Sequence, residues 1–341
     1  MTEKQYGGAT GRGTDKMTKT SANVGLPPSK KEPSSTSAKV LSDNNSVQSG
    51  DNESYIKAGK IAAEVVKYAK SIIKKDVLLL EIADKIESKI IELGGKPAFP
   101  VNLSINEIAA HDTPAFNDAR KASGLLKVDI GVQIEGCIAD TAFSLDLENS
   151  EENKKLIMAA EKALLEACKL IKEGVTIREI GASIEKAIKS SGFIPINNLS
   201  GHSLEPYHLH SGITIPNHDN SQEKTIESGV YAIEPFATIG LGSVRDGKLS
   251  GIYKIEREGS VRDSTAREVL AFIYEEYQTL PFCSRWIYKK FNSRGLLALR
   301  RIEESKLLHH YPQLIEVSGK KVSQAEHTII IDKDKKTITT I

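Results

Sequence analysis

Leu126-Lys-Val-Asp-Ile-Gly-Val-Gln-Ile-Glu-Gly-Cys-Ile-Ala-Asp-Thr-Ala-Phe-Ser-Leu145 carries the strongest structural signal in this chain. Val128, Ile130, Val132 and Ile134 alternate with Asp129, Gly131 and Gln133, which is the two-residue period of a β-strand. Glu135-Gly136 is a two-residue turn signal, and Ile138 to Leu145 resumes β-prone sequence. A hairpin closed on those two residues sets Asp129 opposite Ala142 and Gly131 opposite Asp140. The two aspartates are then diagonal neighbours on one face, about 7–8 Å apart at the backbone. A turn centred half a step earlier puts them directly opposite, and only an odd-length loop separates them. Two acids on one face beside a small Gly131 can converge on metal. The alternative is a pair of solvated acids on the outer face of a hairpin.

Three further blocks weigh against that alternative. Asn198 to Asn217 holds three of the eight histidines, His202, His208 and His210, between glycines that let the backbone turn tightly. Ser228 to Ala237 places Glu234 at the end of an apolar strand and before Pro235. Ser323 to Ile331 places Glu326 at the head of another. A carboxylate at the edge of such a run is costly to bury unless it is paired or bound to metal. Asp129, Asp140, His202, Glu234 and Glu326 together form a hard, oxygen-rich donor set, which suits two divalent cations better than one. Paired cations need bridging carboxylates to offset their charge, and the chemistry they serve is metal-assisted hydrolysis.

With their flanking residues these blocks resemble the methionine aminopeptidases, specifically the type 2 enzymes, over residues 54–341. The resemblance implies a pita-bread α+β fold, with two similar halves around a central antiparallel sheet. It implies that Asp129 binds one ion, that Asp140 and Glu326 bridge two, and that His202 and Glu234 bind the second. His111, in Ala109-Ala110-His111-Asp112-Thr113-Pro114, matches the first catalytic histidine and His210 the second, while Glu234 is the candidate proton shuttle. Phe99 and Tyr311 match the side chains that shape the methionine pocket. The implied substrate is the amino terminus of a nascent polypeptide with a small second residue. The ions are drawn from Co, Mn, Fe(II) and Zn, since hard O/N sites accept all of them. A proline dipeptidase or Xaa-Pro aminopeptidase of the same fold is the alternative, but those enzymes carry a large folded N-terminal domain. A metal-free binding protein is disfavoured because all five ligands and both histidines are present. Type 2 rests on the 91 residues between Glu234 and Glu326, more than a strand-to-strand link requires. Their middle, about 262–310, reads as a helical insertion.

Composition agrees. The formal net charge of +1 gives no argument for nucleic acid or membrane as a partner. Cys137, Cys168 and Cys283 are scattered and lack a CxxC pair, which fits a reducing cytoplasm. No apolar run approaches ~18 residues, and no leader pattern opens the chain. Residues 1–51 are polar, with Tyr6 their only aromatic, and are expected to be a disordered tail. A passive tail is favoured over one that contacts the ribosome, and a monomer is expected. Residues 52–341 form the catalytic unit, opening with helices over Ile56–Ile73 and, capped by Asp76, through Leu93. Two more follow the hairpin, Glu152–Lys172 and Ile177–Ser191, the latter opened by a Thr176–Glu179 capping box. Helices on one face of an antiparallel sheet make an α+β layout. His208 is read as a surface or packing residue, His218, His309 and His310 as exposed, and His327 as pointing away from the ligands.

Overall fold

A computed structural model describes residues 49–341. The hairpin register is the one read from the sequence. Leu125–Ile134 pairs antiparallel with Cys137–Asp146, with Asp129 opposite Ala142 and Gly131 opposite Asp140. The chain reverses through Glu135 and Gly136 at φ 52° and 87°, the pair of positive angles that a type I′ turn requires.

The hairpin's two faces have different fates. Val128, Ile130 and Val132 are fully buried under α1 (Ser49–Ile72) and α2 (Leu79–Glu92), against Val65, Ala69, Ile82, Ile86 and Ile90. Burying each such branched side chain contributes about 1.5–3 kcal/mol, so a one-residue slip that turned this face outward would forfeit most of the local core. Asp129 and Asp140 are thereby fixed on the other face. Helix α1 already includes Ser49, so it begins within the span expected to be tail; the rest of that tail lies outside the described residues. Asp76 does not cap α2. It sits at φ 69° in the preceding turn, its N–H bonded to the Ala122 carbonyl, and Leu78 caps the helix without a side-chain bond. The chain makes an extra extended bridge, Leu78 to Lys121, before the helix starts.

The second half repeats this plan. Helix α3 (Glu151–Leu170) is capped by Ser150, and α4 (Ile177–Ser190) opens with the Thr176–Glu179 capping box. They pack on a five-stranded antiparallel sheet ordered Lys335–Ile338, His327–Asp332, Gly229–Ile233, Ser200–Leu204, Thr214–Pro216. Tyr231, Ile233, Ile329 and Ile331 meet Ala160, Leu164, Ile180 and Ile184 in its core.

Side chains and a main-chain bond join the halves where strand pairing stops. Thr141 Oγ1 donates to the Glu326 carbonyl at 2.9 Å, Ser144 Oγ to the Gln324 carbonyl at 2.8 Å, and the Glu326 N–H to the Ala142 carbonyl at 2.9 Å. This seam brings Asp140 and Glu326 together from opposite halves.

Between the halves' last strands, the long pair Val244–Ile255 and Leu308–Glu316 carries α5 (Ser264–Glu276) and α6 (Ser284–Glu304). Helix α6 is kinked at Asn292, where φ is 54°. These helices hold their own core of Val269, Ile273, Ile287, Leu299 and Ile302. Arg285, fully buried at the start of α6, pairs with Glu87 of α2 through both Nη atoms at 2.7 Å. Its Nε also donates to the Pro114 carbonyl at 3.0 Å, just past His111. His310 belongs to this region and is not a surface residue. Its ring stacks on Tyr253 at 3.9 Å, Nδ1 lies 2.7 Å from Glu303 Oε1, and Nε2 accepts from the Gly251 N–H.

Candidate metal centre

Each ligand candidate is held by a strand or a strand end. Asp129 and Asp140 come from the hairpin, and His202 lies in Ser200–Leu204, paired with Ala232. Glu234 directly follows Gly229–Ile233, and Glu326 directly precedes His327–Asp332. Because His327 pairs with Ile233, the antiparallel register leaves the two glutamates side by side at the sheet's end.

Donor atoms of Asp140, His202 and Glu326 all lie within 4.8 Å of one another. His202 Nε2 stands 3.8 Å from Asp140 Oδ2 and 3.6 Å from Glu234 Oε1. These separations are too long for hydrogen bonds. They are close to the 3–4 Å expected between atoms sharing an ion at ~2.1 Å. Asp129 Oδ1, Asp140 Oδ1 and Glu326 Oε2 are buried with no hydrogen-bond partner. Native interiors seldom leave such atoms unpaired, and a group of oxygen acceptors pointing at one another fits a cation. The donor set therefore suits divalent metal.

Electrostatics point the same way. Burial pushes Asp129 up to about 7. Burial followed by the repulsion of neighbouring carboxylates holds Asp140, Glu234 and Glu326 well above the usual range. His202, by contrast, is driven down to about 3, chiefly by burial and then by His210. It is a neutral donor at any working pH.

One cavity of about 330 Å³ is lined by all nine residues singled out from the sequence: the five ligands, His111, His210, Phe99 and Tyr311. His210 stands at the exposed mouth, its ring edge-on to His202 at 4.4 Å. The cleft walls and then Lys254 hold it below the ordinary imidazole range. His111 packs edge-on to Tyr311 at 5.1 Å. Burial, followed by His210, lowers it to about 4, while a ring N–H bonded to the Pro312 carbonyl partly opposes this; Nδ1 is unpartnered. His111 has φ 58°, a sparsely populated conformation for a non-glycine residue. The next residue pins it. Buried Asp112 takes both Nη atoms of Arg120, at 2.7 and 3.0 Å, and accepts from Gln313 Nε2 at 2.7 Å.

His208 is exposed beyond the mouth, and His327 turns away to meet Thr340. The sequence reading missed Gln324, which is buried and donates to Glu234 Oε2 at 3.4 Å while also bonding Asp129. Its position two residues before Glu326 on an alternating run was the available signal. It also missed Asn102, paired across the sheet with Asp129, and the wall residues Ile252, Pro281 and Leu314.

The model of metallopeptidase family M24 matches residues 53–265. The chain is 48% identical over 297 residues to the methionine aminopeptidase of Pyrococcus horikoshii, covering 85% of this chain and 99% of that one. It is 45% identical over 291 residues to that of Methanocaldococcus jannaschii, covering 84% and 98%. The crystal structure of methionine aminopeptidase from Rickettsia prowazekii superposes with a TM-score of 0.63 at 19% identity, over 86% of this chain and 97% of that one, a likeness of fold alone. The architecture is the α+β pita-bread layout that the sequence resemblance implied.

Proposed function

The chain belongs to metallopeptidase family M24, and from its 48% and 45% identity to two archaeal methionine aminopeptidases we infer that it is a methionine aminopeptidase of the type 2, archaeal-like group, removing the first residue of nascent polypeptides. The observation that carries this reading is the convergence of five ligand candidates and two neutral histidines on one cavity with an apolar wall. The Xaa-Pro-directed reading has no comparable support, since the relatives alike along nearly their whole length are methionine aminopeptidases.

Asp129, Asp140, His202, Glu234 and Glu326 would hold the divalent ions, two by the count of carboxylates. Such ions supply Lewis acidity, which makes a nucleophile available near neutral pH and polarises the scissile carbonyl. The residues do the rest. Asp129 accepts a hydrogen bond from the free α-amine, which restricts cleavage to the first peptide bond. Glu234 takes the proton of the attacking water and returns it to the leaving amine. His111, with one ring nitrogen engaged by Pro312, offers Nδ1 to the scissile amide N–H. His210 donates to the carbonyl oxygen as it gains negative charge. Phe99 and Tyr311 bound the space for an unbranched apolar side chain, and a bulky second residue would collide at His210. The tail is read as passive rather than ribosome-binding, the location as cytoplasmic and the chain as a monomer. Among the described residues no helix is long and apolar enough to cross a membrane.

The test is hydrolysis by metal-loaded protein of Met-Ala-Ser against Xaa-Pro peptides, with ion content measured on the same sample. Free methionine from the first peptide and no cleavage of the second is the expected result. Preference for Xaa-Pro irrespective of the first residue would overturn the reading.

A further inference from the structure

The cleft does not end at His210. A second cavity of about 220 Å³ is lined by Tyr207, His208, Lys254, Ile255 and Thr279, and it shares Leu209, His210, Pro281 and Tyr311 with the metal cavity. The shared residues include the histidine placed at the scissile bond and the tyrosine bounding the first side chain. The second cavity is therefore the direct continuation of the cleft from the point of cleavage. The two cavities differ in charge. Four carboxylates line the first and none lines the second, where Lys254 is the one permanently charged lining residue.

Lys254 is well placed to act on a peptide. It sits in the strand Val244–Ile255 opposite His309, so its backbone is fixed by the sheet, and it is half-buried. Its Nζ lies 6.0 Å from the centre of the Tyr311 ring, at the wall common to both cavities. Glu256, two residues further along, does not line the cavity, although its charge reaches Tyr311. An extended chain advances about 3.3–3.6 Å per residue. With the first peptide bond at His210, a chain that continues past Tyr311, in the wall common to both cavities, would enter the second cavity.

We propose that this second cavity is the exit subsite for the third and fourth residues of the substrate, and that Lys254 makes it favour acidic side chains there. The inference rests on the aminopeptidase reading and extends it to the substrate beyond the second residue. An ammonium acting across a partly hydrated cleft is screened within about 8 Å at physiological salt, so the preference is expected to be about two- to five-fold rather than absolute.

The experiment compares kcat/KM of full-length, metal-loaded protein on Met-Ala-Xaa-Ser and Met-Ala-Ser-Xaa peptides with Xaa as Glu, Gln or Lys. Wild-type protein is expected to rank Glu over Gln over Lys, with the spread collapsing in ~0.5 M salt. Lys254→Ala should flatten the ranking and Lys254→Glu should invert it, while preference for Met over Leu at the first position stays as in wild type. An unchanged ranking in Lys254→Glu overturns the inference. So does a change confined to the first residue, which would make the second cavity part of the methionine pocket. Wild-type protein that cleaves none of these peptides overturns the aminopeptidase reading itself, whereas cleavage indifferent to charge overturns only this extension.

Discussion

The Thr328 hydroxyl accepts the Asp140 backbone N–H at 2.7 Å and donates to the Asp140 carbonyl at 2.8 Å. One side chain from the second half thus occupies both main-chain groups of a ligand in the first. No strand ladder runs between His327–Asp332 and Cys137–Asp146, and this hydroxyl does in one atom what a paired residue would otherwise do. The spacing of Asp140 and Glu326 is set by that seam.

Thr328→Val should therefore weaken the metal site from behind it. The variant keeps the shape but leaves two buried main-chain groups unpaired, at a cost of about 1–3 kcal/mol for each. A lower melting temperature and less metal retained after dialysis are expected, with Thr328→Ser close to wild type. Wild-type metal content and melting in Thr328→Val would mean that the seam does not position Asp140.

Metal uptake should be strongly pH-dependent. The four acids have folded pKa values raised above their unfolded ones, Asp129 to about 7, whereas an unfolded aspartate titrates near ~3.9. An acid shifted upward binds more protons folded than unfolded. Its contribution to the stability of metal-free protein is fully present below ~4 and is lost as pH rises through 7. Bound cations remove that penalty. The rise in melting temperature on adding Mn²⁺ should thus grow between pH 6 and 8, with protons released on binding. His202, lowered to about 3, stays neutral across this window and contributes nothing to the slope. Asp140→Asn, which removes one of the crowded charges, should raise the melting temperature of the metal-free form at pH 8 while abolishing turnover. A pH-independent metal effect would contradict the crowding.

Much of this site was legible because its geometry is local. The period of Val128 to Ile134 and the Glu135-Gly136 turn dictated the register, and register alone put two aspartates on one face. The capping box at Thr176 is equally local. Asp76 misled because a good capping side chain cannot act once the backbone is committed to an αL turn. His310 looked exposed because its partners, Glu303 and Tyr253, are brought to it only by the packing of α6 on the long strands. Gln324 was missed because an amide gains its meaning from the acids it bonds, and those lie on other strands.

The two cleft histidines should separate by measurement. His202 is buried among carboxylates and His210 stands at the mouth, so His202→Ala should bind less metal. His210→Ala should keep its metal and lose on the order of 10²–10³ in kcat, typical for a donor to a developing negative charge. Ion content and single-turnover rates on both variants decide this. Equal metal depletion in the two would remove the distinction.

Gly131 offers the sharpest test of the methionine pocket. A Cβ added there would stand 2.3 Å from Phe99 Cε1, so the ring must move, and φ at this position is one that alanine tolerates. The change therefore acts on Phe99 and not on the backbone. Overpacking of this kind costs about 1–3 kcal/mol, and the displaced ring should intrude on the space for the substrate's first side chain. Gly131→Ala is expected to raise KM for Met-Ala-Ser well beyond its effect on kcat, with metal content unchanged. Phe99→Leu in the same chain, by making room for the methyl group, should restore melting temperature and recover part of KM. It should also shift preference toward bulkier first residues, since the wall has receded. A Gly131→Ala enzyme with normal KM and reduced metal would place the clash on Asp140, the residue facing Gly131 across the hairpin, and would remove Phe99 from the pocket.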